Sequence, residues 1–307
     1  MNTACLAQTL WAQLWNHYRQ RVPYAQIYEA MIQAAGGTVA NDHIAFRSLR
    51  LRVEGPEETV NLGIPYLAEM VEWLGYQVAG EYQFPDRHLY ARHYCHPQQD
   101  ALGLPKLFIS ELKVDELPQS IAQAIRATVR SGQFFSLAAW QQTCPAPGLS
   151  GLDRTALARS LMTAFTRPWP PPRRTIVEAV NAVSQYGAWV LLHGYAVNHF
   201  TAYINRQNTP AYPDIAATAQ ALAHRGVPMK DCIEGNKASG LQQTSTQAIV
   251  EPVVVLNEQG ELEHMAWSYA YYELAERHQI VDSTGHTTLF NGFIGSQAQQ
   301  LFEMTRV

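Results

Sequence analysis

The sequence predicts an α+β fold built from two βαβββ modules that curve one mixed sheet around a central site, with helices before the first module and between the two. Three observations predict it. The order strand, helix, strand, strand, strand is read twice along the 307 residues. Each first strand opens on a polar residue and a histidine ahead of an apolar run, Asp42-His43-Ile44 and Asn198-His199-Phe200. Each last strand carries a glutamate, Glu111 and Glu273. Matching residues in matching places mark a degenerate internal repeat.

The elements follow from periodicity and punctuation. Leu6, Leu10 and Leu14 recur every four residues beside Trp11, Trp15 and Tyr18, one helical face. Tyr24 to Ala35 forms a second helix, stopped by Gly36-Gly37. These helices, residues 1–40, form an N-terminal cap. The first module, 41–115, opens on the strand Asp42 to Leu49. A Pro/Glu turn at Gly55 to Glu58 follows, then a helix from Tyr66 to Leu74 with Leu67, Met70, Val71 and Leu74 on one face. Short strands near Glu81 to Phe84, His88 to His93 and Lys106 to Lys113 complete it. Residues 116–186 read as a mainly helical insertion, interrupted at Thr143 to Gly148 and stiffened by Pro168, Pro170, Pro171 and Pro172. The second module, 187–307, repeats the order. It has a strand Tyr195 to Ile204, a helix Pro213 to His224, and strands near Val227 to Ile233, Leu241 to Leu256 and Ala266 to Arg277. A closing turn and a helix or short strand run from Asn291 through Leu301-Phe302-Glu303.

Composition narrows the function classes. Hydrophobic residues make up 47% and charged residues 16%, enough to bury a sizeable core. The net charge of −4 and the lack of any like-charge block leave no electrostatic footprint for nucleic acid. Cys5, Cys95, Cys144 and Cys232 lie far apart, so neither a cysteine zinc site nor a disulfide framework is indicated. No charged-then-apolar segment opens the chain and no apolar run reaches membrane-spanning length. The cytoplasm is the expected compartment.

The chemistry concentrates in the repeated positions. A histidine on an apolar strand is usually a satisfied core residue. A glutamate within the aromatic stretch Tyr271-Tyr272-Glu273 is costly to bury unless a cation or donors neutralise it, an ion pair with Arg277 being the plain alternative. Three such residues in two equivalent modules point to a metal held by His43, His199 and Glu273. Two imidazoles and one carboxylate leave open positions where a 2-oxo acid could chelate and dioxygen could bind, which suits iron(II); zinc accepts the same donors. Arg47 alternates onto the face of His43 and would offer a bidentate grip to a carboxylate, although it has surface-like neighbours in Arg50 and Arg52.

The runs His43-Ile44-Ala45-Phe46-Arg47-Ser48-Leu49, Phe84-Pro85-Asp86-Arg87-His88-Leu89-Tyr90-Ala91, Leu104 to Leu112 and Gly194 to Thr201 resemble the DUF1338 family, from about residue 24 to 306. Its characterised members are 2-oxoadipate dioxygenase/decarboxylases with a vicinal oxygen chelate-like fold. The resemblance implies an enzyme that holds Fe(II) on His43, His199 and Glu273 and binds substrate carboxylate through Arg47. It also implies conversion of 2-oxoadipate and O2 to 2-hydroxyglutarate and CO2, a late step of lysine breakdown. His88 is a further substrate-binding candidate. Glu111 is expected near the cavity, oriented by His88 or Lys106, as a support to the metal site or as a fourth ligand. The rival readings are a glyoxalase-type isomerase using that fourth ligand, and a binding protein without catalysis. The expected partners are a small 2-oxo acid and O2, with no nucleic acid and no membrane; the sequence leaves the oligomeric state open.

Overall fold

The computed structural model describes residues 2–55, 59–143, 151–281 and 285–293. The chain opens with helices α1 (Thr3–Arg21) and α2 (Pro23–Ala34). Asn2 caps α1 by accepting the Ala4 and Cys5 N–H groups, and Gly36, at φ 71°, ends α2 in the left-handed region open to glycine. Next come β1 (Asn41–Arg50), a small ribbon of β2 (Arg52–Glu54) and β3 (Thr59–Asn61), α3 (Ile64–Trp73), β4 (Gln77–Phe84), β5 (Leu89–Cys95), α4 (Gln99–Leu102) and β6 (Lys106–Lys113). The helices α5 (Gln119–Val129), α6 (Leu137–Thr143), α7 (Gly151–Leu161), α8 (Arg174–Val183) and α9 (Gln185–His193) separate the modules. The second module holds β7 (Val197–Tyr203), α10 (Ile215–Ala223), β8 (Glu234–Asn236), β9 (Leu241–Ser245), the hairpin β10 (Val250–Leu256) and β11 (Leu262–Ser268), and β12 (Glu273–Arg277). A short ribbon of β13 (Gln279–Val281) and β14 (Thr287–Leu289) follows.

One eight-stranded mixed sheet runs β4-β5-β6-β1-β7-β12-β9-β8. Its two halves mirror each other. β1 pairs parallel with β6 and β7 parallel with β12, and antiparallel strands extend each half outward. The halves meet where β1 and β7 run antiparallel, with His43 opposite Thr201 and Ala45 opposite His199. This pairing is its own image under a local two-fold rotation, so it sets the two histidines diagonally adjacent on one face.

The opposite face carries the apolar packing of the cap. Phe200 meets Trp15 and Tyr18 of α1, and Tyr272 meets Tyr28 of α2. Among the described residues, no helix is long and apolar enough to cross a membrane.

Three expectations are corrected. Val227 to Ile233 is largely irregular and the strand lies later, at β8. The stretches 241–256 and 266–277 are each broken in two, because the β10–β11 hairpin leaves the main sheet to form its own. The first break falls at 246–249, between the polar strand Leu241–Ser245 and the apolar strand Val250–Leu256, and the second within the aromatic run Tyr269–Tyr272. The turn at 56–58, most of the break at 143–148 with Cys144, and the closing segment 294–307 lie outside the described residues.

Candidate metal centre

His43, His199 and Glu273 sit on adjacent strands β1, β7 and β12 of one face, and all three are buried. Each offers a donor atom within 4.8 Å of the others. The two Nε2 atoms are 3.4 Å apart; His43 Nε2 lies 3.4 Å from Glu273 Oε1 and His199 Nε2 lies 3.6 Å from Glu273 Oε2.

The residue before each histidine fixes its ring. His43 donates Nδ1–H to Asp42 Oδ1 at 2.8 Å, and His199 donates Nδ1–H to Asn198 Oδ1 at 3.1 Å. The hydrogen bond at one nitrogen selects the tautomer, so both Nε2 lone pairs face inward. The Thr201 hydroxyl lies 3.0 Å from His43 Nε2 and can donate to it. Gln243 donates to Glu273 Oε1 at 2.5 Å, while Oε2 is buried with no hydrogen-bond partner. Three acceptors converging on one point, one of them orphaned, are the signature of a cation site. Two nitrogens and one carboxylate suit iron(II) and other first-row divalent metals alike.

The charges agree. Burial pushes the Glu273 carboxyl up to about 8, against the Gln243 hydrogen bond. Burial also lowers His43, opposed by Asp42, and holds His199 well below the usual histidine range, helped by the neighbouring His43 and Arg47. Burial works against the Asp42 charge too, but Arg277 overrides it and keeps that carboxyl well below the usual range. Burial thus disfavours the charged form of all three side chains, which a bound cation would offset.

Arg47 is 2% exposed, on the same face as His43, with its guanidinium 4.9 Å from the Tyr186 ring and 5.0 Å from the Trp189 ring. It is a buried cation in an aromatic cage, unlike its exposed neighbours Arg50 and Arg52. Phe293 covers the other side of the centre, its ring 4.8 Å from His43 and 5.0 Å from Phe108.

Two candidates fall elsewhere. Glu111 pairs in register with Ser48, on the face away from His43. It binds Arg50 and accepts the Ile64 N–H at 2.8 Å, capping α3; neither His88 nor Lys106 orients it. The true counterpart of Glu273 is Phe108, which pairs with Ala45 as Glu273 pairs with Thr201. Glu111 lies three positions beyond Phe108, and an odd slip along a strand reverses the face. The fourth ligand that the isomerase reading needed is therefore replaced by an apolar side chain. His88 stands at the far end of β5, in the left-handed region at φ 55°, with a side chain 43% exposed and paired to Glu116. It does not join the site.

Sequence reasoning missed Asp42 and Arg277 as a unit. Arg277 does not pair with Glu273; it forks onto Asp42 at 2.6 and 2.7 Å and holds the Phe290 and Gly292 carbonyls. One guanidinium thus braces both the His43 orienter and the segment that carries Phe293. Gln243 was missed as well. The only available signal was the polar residue preceding each histidine.

Fold and site together define a chain of paired βαβββ modules, the vicinal oxygen chelate-like architecture, with a candidate metal centre where the modules meet. The solved structure of a glyoxalase superfamily protein from Ralstonia eutropha superposes with TM-score 0.79 at 24% identity, over 94% of this chain and 85% of that one. The hydroxyglutarate synthase of Oryza sativa, solved in complex with 2-oxoadipate, superposes with TM-score 0.76 at 24% identity, over 99% and 93%. At that identity these likenesses establish the fold. The family model described as 2-oxoadipate dioxygenase/decarboxylase matches residues 10–304, and the chain belongs to that family. The chloroplastic/amyloplastic 2-oxoadipate dioxygenase/decarboxylase of Oryza sativa is 31% identical over 201 residues, 62% of this chain and 47% of that protein. The chloroplastic enzyme of Arabidopsis thaliana is 27% identical over 218 residues, 67% and 51%. The aligned stretch thus spans about half the length of these curated relatives.

Proposed function

We propose that the protein is an iron(II)-dependent dioxygenase that oxidatively decarboxylates a 2-oxo dicarboxylic acid, 2-oxoadipate being the expected substrate. The observation that carries the reading is a three-donor buried cluster sharing one sheet face with the buried guanidinium of Arg47. The family membership supports it. Bound iron would supply open positions for a chelating 2-oxo acid and for dioxygen. The chain supplies the rest. His43, His199 and Glu273 hold the ion, Asp42 and Asn198 orient the two rings, and Arg47 receives a substrate carboxylate in a water-poor cage where a charge-assisted pair is strong. Phe293 and Phe108 set apolar rings beside the cluster, which would keep water from the reacting carbon. The overall change balances without an outside reductant: 2-oxoadipate and O2 become 2-hydroxyglutarate and CO2.

The test is oxygen uptake and CO2 release by protein purified without oxygen and loaded with iron(II). 2-Oxoadipate is compared with monocarboxylic 2-oxo acids of similar length. Turnover of the dicarboxylate is expected to lead. Arg47→Lys should keep its iron yet lose about 100-fold in rate, because a point charge cannot hold the carboxylate as a planar fork does. A preference for the monocarboxylic acids, or normal turnover by the variant, would refute the dicarboxylate assignment.

A further inference from the structure

Beside Asp42, the residue that orients His43, lies a polar cavity of about 230 Å³, lined in part by Asn41, Asp42, Gln99, Asp100, Lys106, Arg206 and Arg277. It has room for several waters or one small organic ion, a water's share of liquid volume being about 30 Å³. Its charges do not cancel. Arg277 is closed on Asp42, and Arg206 on Asp100 at 2.5 Å. That leaves Lys106. It is 5% exposed, and among the described residues it makes no hydrogen bond and no ion pair. Asp42 and Asp100 attract it only at longer range, and each already neutralises an arginine: Asp42 holds Arg277 through both oxygens, and Asp100 holds Arg206.

Two more groups in the same cavity lack partners. Asn41 Oδ1 and Gln99 Oε1 are both buried without a hydrogen bond. A side-chain amide can be turned over with almost no change of shape, so each can present N–H donors instead. A buried ammonium without an anion is costly, and native interiors rarely leave one so. Three cations against two carboxylates, in a cavity that two amides also line, call for one more negative charge with more than one acceptor atom. A carboxylate meets both demands. A phosphate dianion would over-neutralise the site, and a halide would offer the amides a single centre.

We infer that this cavity is an anion site in which Lys106, assisted by Asn41 and Gln99, binds a small carboxylate. Two sources share that chemistry: a free small acid, or the distal end of a longer acid whose other end lies elsewhere. An occupant would stand next to the Asp42 carboxylate that orients His43, so occupancy should also be felt at the metal centre.

The binding test requires no turnover, so its failure is distinguishable from failure of the proposed reaction. Sodium acetate is titrated at constant ionic strength into the full chain, and thermal stability is followed. At about tenfold over Kd the wild-type Tm should rise by about 2–4 °C. Lys106→Met, which keeps the length and removes the charge, should lose the rise, and Lys106→Arg should retain it. Should Lys106→Met fail to fold, Gln99→Leu carries the same test, with an expected weakening of acetate binding of about tenfold. The source is read from kinetics. If Lys106→Met raises KM about tenfold or more for 2-oxoadipate but not for 2-oxohexanoate, the occupant is the substrate's distal carboxylate. If acetate binding is lost and both KM values hold, the occupant is a free small acid. No acetate response in the wild type, or an equal response in Lys106→Met, overturns the site.

Discussion

At the residue scale, the centre depends on one buried acid. Glu273 is pushed up to about 8 by burial, while burial lowers His43 and holds His199 well below the usual histidine range. Metal binding must therefore expel one proton from Glu273 at any pH below about 8. The sign follows: lowering pH favours the protonated, metal-free form, so affinity should rise with pH and flatten above about 8. Anaerobic iron(II) titrations from pH 6 to 9 would show this; a flat profile below pH 8 would place the shift elsewhere. Glu273→Gln should bind metal at least 10-fold more weakly at neutral pH and lose the pH dependence, since an amide has no proton to surrender. Glu111 behaves differently because it caps α3 and pairs with Arg50 instead of facing the centre. Glu111→Gln should leave metal content unchanged and cost about 1 kcal/mol of stability, the loss of a charged helix cap. Metal loss in that variant would restore the four-ligand reading.

At the element scale, the placement of His199 is set before β7 begins. Gly194 leaves α9 at φ 62°, ψ −128°, a conformation suited to glycine. A Cβ there would stand 2.3 Å from the Arg167 Cα and 2.7 Å from the Thr166 carbonyl oxygen, both rigid backbone. Gly194→Ala should therefore destabilise the protein by about 2–4 kcal/mol, strain and overpacking together. Chemical denaturation reads this directly, and a change below about 1 kcal/mol would contradict the close approach. The strand that follows was legible from its apolar run, expected over Tyr195 to Ile204 and found at Val197–Tyr203; the conformation of Gly194 was not read from sequence. The β10–β11 hairpin was illegible: a strand that leaves the main sheet has the same alternation as one that stays.

For the whole molecule, the two-fold relation of its halves places the site, and its failure makes the site asymmetric. His43 and His199 are true equivalents across the β1–β7 pairing. Glu273 and Phe108 occupy equivalent positions with unlike chemistry, which leaves one carboxylate and open coordination space instead of a closed four-donor shell. By itself the sequence determined the repeated βαβββ order, the paired histidines with a polar residue before each, the acid in an aromatic strand and the arginine one alternation beyond Ala45. All of these are local: they depend on periodicity, on side-chain type and on spacing within one strand. Only the tertiary structure decided which glutamate joins the histidines, because that depends on register between strands, where a shift of three residues turns a ligand into a helix cap. It alone decided that Arg277 serves Asp42 instead of Glu273, that Phe293 closes over His43, and that Lys106 is buried beside a cavity. These are contacts between distant parts of the chain, fixed by packing and charge compensation that no single stretch of sequence encodes.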